Sequence, residues 1–307
     1  MPVHSTPQAL PSLGALHISG SDALDYLQGQ LSADLRSVQP GQLAWAGLHS
    51  PQGRVLALLA LAPVPAAPPG VGNGDNAGAD WLAVLPAALA EPAAAALRRF
   101  VLRARVRIAP SPPGALCLPG SEPGADTRAL RHPGGQSLCW LPAGGAAPAD
   151  AQAQAAWDQA EIALGLPQVY PQTSGTFVAQ MLNLDCIGAI AFDKGCYTGQ
   201  EVVARAHYRG RVKRRLQRFA APALPLAPDG GELPPGSALR LADGRNAQLV
   251  RSARLPDGSL EFLAVCAWPA GDETAARPAG EPAGEPAGEL AVTVDSHPLP
   301  LPYSLPE

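Results

Sequence analysis

The chain has 307 residues, of which 47% are hydrophobic and 16% are charged, and its formal net charge is −4. This length suits one large domain or two to three smaller ones. No apolar run reaches the roughly 18 residues of a membrane-spanning helix, and the N-terminus lacks the basic start and apolar core of a signal peptide. The composition therefore predicts a globular cytoplasmic protein that is not inserted in a membrane.

The first half of the chain predicts a mixture of strands and helices. A strand is expected at 15–20, and Ser21 has the form of an N-cap for a helix that continues to Leu31. A hairpin follows at 44–61, broken by a Pro-Gln-Gly turn. We then expect a strand at 81–85, a helix at 87–102 and a strand at 103–108, with loops at 64–79, 109–124 and 142–150.

The second half begins with an Ala- and Gln-rich helix at 151–164, which Gly165 should end. Beyond Gly210 the pattern changes to short strands with Asp-Gly turns, which predicts a small β-barrel. The expected strands are 216–219, 238–241, 247–254 and 261–268. The repeat PAGEPAGEPAGE at 278–289 has too little apolar surface to pack, so we expect a mobile loop there.

The cysteines limit the kinds of metal and redox site that the chain can build. There are five, widely spaced and never in a CxxC pair: Cys117, Cys139, Cys186, Cys196 and Cys266. This pattern is typical of a reducing compartment and argues against a disulfide framework or a zinc knuckle. An iron–sulfur cluster normally takes about four thiolates. We therefore expect no resident metal and no stably bound cluster.

The segment DKGCYTGQEVVARAHYRG, residues 193–210, carries the most chemistry. Thr198 and Glu201 have the spacing of a capping box at the start of a helix. Cys196 would lie just before that helix, with Lys194 beside it, and both the helix dipole and the ammonium favour a thiolate. A small buried cysteine is the alternative. Glu201 either caps the helix or contacts a ligand, and Arg205 can pair with it one turn later.

Two further features of the sequence leave alternatives open. Tyr197, Tyr208 and Trp157 are either core residues or surfaces on which a flat ligand stacks. From Lys194 to Arg215 there are seven Lys and Arg residues against one carboxylate, that of Glu201. Such an arm on an acidic protein favours an anionic partner, and a solvated surface is the alternative reading.

The run KGCYTGQEVVAR, with the following YRG and KRRL, resembles the signature of the YgfZ proteins. These are folate-binding relatives of the glycine-cleavage T-protein, an aminomethyltransferase. Four other segments fit the family in the expected order, so the resemblance covers nearly the whole chain: ISGSDALDYLQGQLSADL, IALGLPQV, FVAQMLNLD and LPYSLPE.

The resemblance implies an α+β fold in which three domains form a ring. The first domain is split between residues 1–60 and 151–215 and holds the folate. An α+β domain at 61–150 is inserted between the two halves, and a C-terminal β-barrel at 216–307 closes the ring. The expected cofactor is tetrahydrofolate or a derivative, bound in the central opening.

Site residues follow from the same resemblance. Trp157 matches the aromatic that the family places against folate, and Leu13 falls where a second folate-side residue is expected. The functional thiol is Cys196, accompanied by Lys194, and it would act by transient cluster ligation or by redox exchange. The remaining residues that we assign to the folate site are Tyr197, Gln200, Glu201 and Arg205.

The functional role implied by the family is support of iron–sulfur enzymes, including those that modify tRNA. The expected partners are therefore folate and iron–sulfur client or assembly proteins. One departure from the T-protein is important, because Leu56 and Ala57 stand where that enzyme carries acidic residues, and apolar side chains cannot do acid–base work. The alternatives are a true folate-dependent one-carbon transferase and an RNA-binding module that contacts tRNA through Arg205–Arg215.

Overall fold

The computed structural model describes residues 7–65, 80–112, 115–119, 128–141, 147–210, 212–227, 230–268 and 291–306. Its helices are α1 (Ala23–Gln30), α2 (Ala90–Arg98), α3 (Ala151–Ala163) and α4 (Gln200–Arg209), with 3-10 turns at Ala87–Leu89 and Ala179–Leu182. Within these ranges, none of the helices has the length and apolar character needed to cross a membrane.

The strands are short in the middle of the chain and longer on either side of it. In chain order they are β1 (Gln8–Ala9), β2 (Leu13–Ser19), β3 (Ala44–His49), β4 (Val55–Val64), β5 (Asp80–Pro86), β6 (Arg107–Pro110), β7 (Leu116–Leu118), β8 (Arg128–Arg131), β9 (Ser137–Trp140), β10 (Arg214–Ala221), β11 (Ala238–Arg240), β12 (Asn246–Arg254), β13 (Leu260–Ala267), β14 (Val292–Thr293) and β15 (His297–Leu299).

Five strands form an antiparallel sheet in the order β3-β4-β5-β2-β6. The predicted hairpin is its β3–β4 pair, and the predicted strand at 81–85 is its central strand β5. Every residue of β5 is buried, because the sheet has structure on both faces. The expected domain boundary at residue 60 falls inside β4, whose neighbours β3 and β5 belong to one sheet. The division into three domains stays a prediction.

A second sheet has the order β1-β7-β9-β8. It lies partly in a stretch that the sequence predicts as a loop, 109–124, so that prediction is wrong at Leu116–Leu118. Three residues carry too little periodicity to identify a strand. The strand is formed instead by pairing with β9, where Cys117 lies opposite Cys139.

The C-terminal strands form a six-stranded sheet in the order β14-β11-β12-β13-β10-β15. All four strands predicted beyond Gly210 are present as β10 to β13. Both faces of β13 are buried: Phe262, Ala264 and Cys266 join a small C-terminal core, while Leu263 and Val265 join the main core. Closure of this sheet into a barrel stays a prediction, and the repeat at 278–289 lies outside the described residues.

Three helix predictions have different outcomes. Helix α3 is confirmed, with the Asp150 side chain accepting from the amide of Gln152 and Gly165 in the left-handed region at its end. Helix α1 is shorter than predicted, and Asp22, not Ser21, occupies its N-cap position without a side-chain cap. The predicted helix at 87–102 is a 3-10 turn followed by α2, and the strand after it begins at Arg107, not Arg103.

Candidate functional site

A buried cavity lies between the five-stranded sheet, helix α3 and the segment around β8 and β9. It has room for about one water molecule. Leu13 and Trp157, far apart in the sequence, meet in its wall. The other lining residues are Leu43, Trp45, Ala60, Val84, His132, Leu138, Glu161 and Gln168.

The cavity wall combines aromatic rings with polar atoms that have no hydrogen-bond partner. Trp45 and Trp157 both meet the His132 ring edge-on, with ring centroids 5.3 Å apart in each case. Among the described residues, Trp45 Nε1, His132 Nε2 and Glu161 Oε1 are buried without a partner in hydrogen-bond geometry. Buried polar atoms of this kind are normally satisfied by water or a ligand. This lining therefore suits a small polar molecule or the edge of a flat heteroaromatic ring.

His132 and Glu161 form the charged side of the cavity. Their Nε2 and Oε1 atoms are 3.0 Å apart, at ion-pair distance but not aligned for a hydrogen bond. His132 Nδ1 accepts from the Gly134 amide at 3.1 Å, and Nε2 is the ring nitrogen that faces the carboxylate. Both side chains are at most 2% exposed. The pair is a fixed dipole or ion pair facing the cavity.

Arg251 on β12 anchors Glu161 from the C-terminal sheet. Its guanidinium is 2.8 Å from Asp158 and 3.5 Å from Glu161, so both acidic residues of α3 are paired with one cation. Burial raises the pKa of Asp158, while Arg251 opposes that shift. The cavity wall on α3 is thus tied electrostatically to β12 as well as by packing.

The motif around Cys196 lies in the loop before α4. Cys196 is exposed and reduced, four residues before the first residue of the helix. The predicted capping box is wrong: Gly199 is the N-cap, and no side chain caps the helix. The backbone at Gly199 has a φ of 81°, and a Cβ there would lie 2.5 Å from the Ser50 carbonyl oxygen. The backbone at Gly199 lies so close to the β3–β4 turn that this contact, and not the Thr-x-x-Glu pattern, determines how the helix begins.

Lys194 is directed to backbone carbonyls. Its Nζ donates at 2.7 Å to the carbonyls of Leu31 and of Ala33, and it lies 5.4 Å from the centre of the Tyr197 ring. Burial lowers the pKa of Lys194 to about 8. The ammonium therefore ties the motif to the end of α1, and these carbonyls, not the sulfur of Cys196, take its hydrogen bonds.

Tyr197 is a core residue next to a second buried histidine. Burial raises the pKa of Tyr197 to about 12, and its ring lies 6.0 Å from that of His49. Burial lowers the pKa of His49 to about 4, against the opposing influence of the Gly47 backbone. Neither ring nitrogen of His49 is well placed for a hydrogen bond within the part of the chain that the structure describes. His49 thus stays neutral beneath the motif.

The residues predicted for the folate site lie in two separate groups. Leu13 and Trp157 line the cavity, but the motif residues do not. Gln200 is half-buried at the first position of α4. Glu201 and Arg205 are exposed and pair with each other at 2.7 Å, as their spacing predicts.

The predicted basic arm is only partly available to a partner. Arg215 is buried: its guanidinium bonds Asp185 at 3.1 and 3.0 Å and also reaches the carbonyl of Gln180. The prediction that Arg215 belongs to a partner-binding arm is therefore wrong. Arg209 is exposed, Arg214 is half-buried against the Val265 carbonyl, and Arg211 lies outside the described residues.

Comparison with known proteins bears on this geometry. No protein-family model matches the chain. Among solved structures, the chain is similar to glycine cleavage system aminomethyltransferase T from Bartonella henselae, with a TM-score of 0.56 and 13% sequence identity. The match covers 86% of this chain and 79% of that chain. The chain has the aminomethyltransferase T fold. At this identity the likeness shows the fold alone, and membership of the YgfZ family stays a prediction.

Within the aminomethyltransferase T fold, Leu56 and Ala57 lie on β4. Leu56 is half-buried and packs against the main core, while Ala57 is buried in it. Neither position offers an ionisable group. The carboxylate of Glu161 is in the cavity instead, on α3 and paired with Arg251.

Sequence reasoning missed His132, Glu161 and Trp45. His132 follows the unpredicted strand β8, so its position could not be inferred from local patterns. Glu161 lies one helical turn after Trp157 at i+4, and that spacing places both on one face of α3. It is the one signal in the sequence that could have identified the carboxylate.

Proposed function

We propose that the chain binds a folate in the cavity between Leu13 and Trp157 and supports iron–sulfur enzymes, including tRNA-modifying ones, through the thiol of Cys196. The observation that carries the proposal is that Leu13 and Trp157, both assigned to folate by the family resemblance, line one cavity. The aminomethyltransferase T fold also supports it, since the solved structure with this fold is named as an enzyme of the glycine cleavage system.

The chemistry of the cavity agrees with a flat polar ring, while its closed volume does not. Two tryptophans provide aromatic contact, and Trp45 Nε1 and Glu161 Oε1 provide a donor and an acceptor. Room for about one water is too little for a bicyclic ring. Binding therefore requires the residues that line the cavity to move apart.

The exposure of Cys196 supports its proposed role. Cys117, Cys139 and Cys266 are buried, and Cys186 is half-buried beside Asp185. Burial raises the pKa of Cys186 to about 11 and that of Cys266 to about 11. Thiolates are the reactive form of cysteine, so those two thiols are poor nucleophiles. Cys196 is the accessible sulfur among the described cysteines.

Folate binding is tested by titrating the full chain with tetrahydrofolate in a calorimeter. Wild type should bind, and Trp157→Phe should weaken binding because it removes part of the stacking surface. Trp81→Phe is the matched control, since Trp81 is equally buried but lies outside the cavity wall. Absence of heat with wild type, or equal loss in both variants, overturns folate binding at this cavity.

The thiol role is tested separately in a strain that lacks the gene. Cys196→Ala should fail to restore iron–sulfur enzyme activity, while Cys186→Ala should restore it. Both variants should keep the wild-type unfolding midpoint within a few degrees. Full restoration by Cys196→Ala rejects the thiol role and leaves the folate site unaffected.

A one-carbon transferase is the second candidate, favoured by the name of the structural neighbour. Leu56 and Ala57 count against it, because neither can transfer a proton. The assay is formation of methylene-tetrahydrofolate from an aminomethyl donor. A rate above background that disappears in Glu161→Gln would establish transferase activity with the carboxylate on α3.

A further inference from the structure

Three aromatic rings meet on the surface at the end of α4, and we refer to Phe192, His207 and Tyr208 as the aromatic cluster. The His207 ring stacks on Phe192 with centroids 3.8 Å apart and planes 18° apart. Tyr208 meets His207 edge-on at 4.8 Å and Phe192 at 5.9 Å. Phe192 is half-buried and holds the other two rings in place from below.

The outer rings of the cluster are exposed to an unusual degree. Tyr208 is 69% exposed and His207 is also exposed. Val203 attaches the helix to the rest of the chain, since it is buried and its carbonyl accepts from Gln180 at 2.8 Å. Apart from its contacts within the cluster, Tyr208 leaves most of its surface exposed. An exposed aromatic ring held by its neighbours is a binding surface that loses little side-chain entropy on contact.

The sequence around the cluster is basic, although most of its cations are already engaged. From residue 201 to 214 the sequence has five Lys and Arg residues against one carboxylate, that of Glu201. Arg205 is already paired with Glu201, and Asp193 lies beside Phe192. Arg209 directly follows Tyr208 and is exposed. Arg209 therefore offers a contact for a phosphate next to the ring of Tyr208.

We propose that the aromatic cluster binds an unpaired nucleotide of single-stranded nucleic acid, with the base stacked on Tyr208 and the flanking phosphates at Arg209. Stacking on an aromatic ring beside a basic groove is how proteins hold single strands without reading their sequence. A paired base in a duplex cannot present its face to Tyr208. This site is independent of the buried cavity and of the folate proposal.

The test uses the full chain and a fluorescein-labelled oligouridine strand of about ten nucleotides, with binding measured by fluorescence anisotropy at about 50 and 200 mM salt. Wild type should bind the single strand more tightly than an RNA duplex of the same length. Tyr208→Ala should weaken binding by about tenfold, within the range for loss of one stacked base, and Tyr208→Phe should keep it. Arg209→Gln should reduce the salt dependence by about one phosphate contact.

Matched controls are available just after α2. Phe100 is 51% exposed and Arg99 is exposed, so Phe100→Ala and Arg99→Gln remove the same kinds of group from another surface. Both controls should bind like wild type. The proposal is overturned if the single strand does not bind at low salt, if the duplex binds equally well, or if Tyr208→Ala behaves like Phe100→Ala.

Discussion

His132 and Glu161 face each other across 3.0 Å inside the cavity, and Arg251 approaches the other oxygen of the same carboxylate at 3.5 Å. Because Glu161 is 2% exposed, these two neighbours take the place of water around its carboxylate. The contact joins three parts of the chain: the segment after β8, helix α3, and β12 of the C-terminal sheet.

Arg251→Met should destabilise the chain strongly, because it leaves the carboxylates of Glu161 and Asp158 without their cation. Breaking a buried ion pair from one side costs about 3–5 kcal/mol. The free energy of unfolding in urea at neutral pH measures it. Arg205→Met is the matched control, since the Arg205–Glu201 pair is exposed and should contribute less than about 1 kcal/mol. Equal losses in the two variants would contradict the buried network.

Lys194 should make stability rise with pH in the alkaline range. The pKa of Lys194 is about 8 in the folded chain against 10.5 for the free side chain, so between these values the unfolded state binds more protons. The unfolding free energy of wild type should therefore gain about 3 kcal/mol, relative to Lys194→Arg, as the pH rises from 8 to 10.5. Arginine stays charged throughout and gains nothing. A constant difference between the two proteins across that range would show that Lys194 is not desolvated.

His49 should lower the stability of the folded chain as the pH falls below 6.5. Its pKa is about 4 when folded and 6.5 when free, so the unfolded state gains a proton first as the pH falls, and stability is lost between 6.5 and 4. His49→Leu removes that loss, worth about 3 kcal/mol, and it also removes two buried nitrogens without good partners. We expect the variant to be at least as stable as wild type at pH 7 and clearly more stable at pH 4.5. The measurement is the unfolding midpoint at both pH values.

The sequence predicts elements whose signals are local. Helix α3 runs from Ala151 to Ala163, close to the predicted 151–164, and Gly165 follows its end as expected, because a C-terminal glycine acts within one turn. The four strands β10 to β13 are long enough to show alternation, and Asp-Gly turns separate two of their pairs. Leu13 and Trp157 could be placed together only through the family resemblance.

The rest of the site depends on contacts between distant segments. His132 reaches the cavity because β8 pairs with β9, and four-residue strands leave no readable period. Lys194 looks like a partner for Cys196 in the sequence, but the carbonyls of Leu31 and Ala33 accept its hydrogen bonds. Two residues of the basic arm also differ, since Arg209 is exposed and Arg215 is buried beside Asp185.

The start of α4 tests how much such contacts between distant segments contribute. There, the close approach of Gly199 to the β3–β4 turn prevents the predicted capping box. Gly199→Ala adds a Cβ in the left-handed region and places it 2.5 Å from the Ser50 carbonyl oxygen. We expect a loss of at least about 2 kcal/mol in unfolding free energy.

Gly188→Ala has a similar positive φ but open space around it, so it should lose only about 1 kcal/mol. Gly195→Ala has neither constraint and should change stability by less than about 0.5 kcal/mol. If Gly199→Ala and Gly188→Ala lose the same amount, the approach of the motif to the β3–β4 turn is not tight, and Cys196 would then not be held in a fixed position before α4.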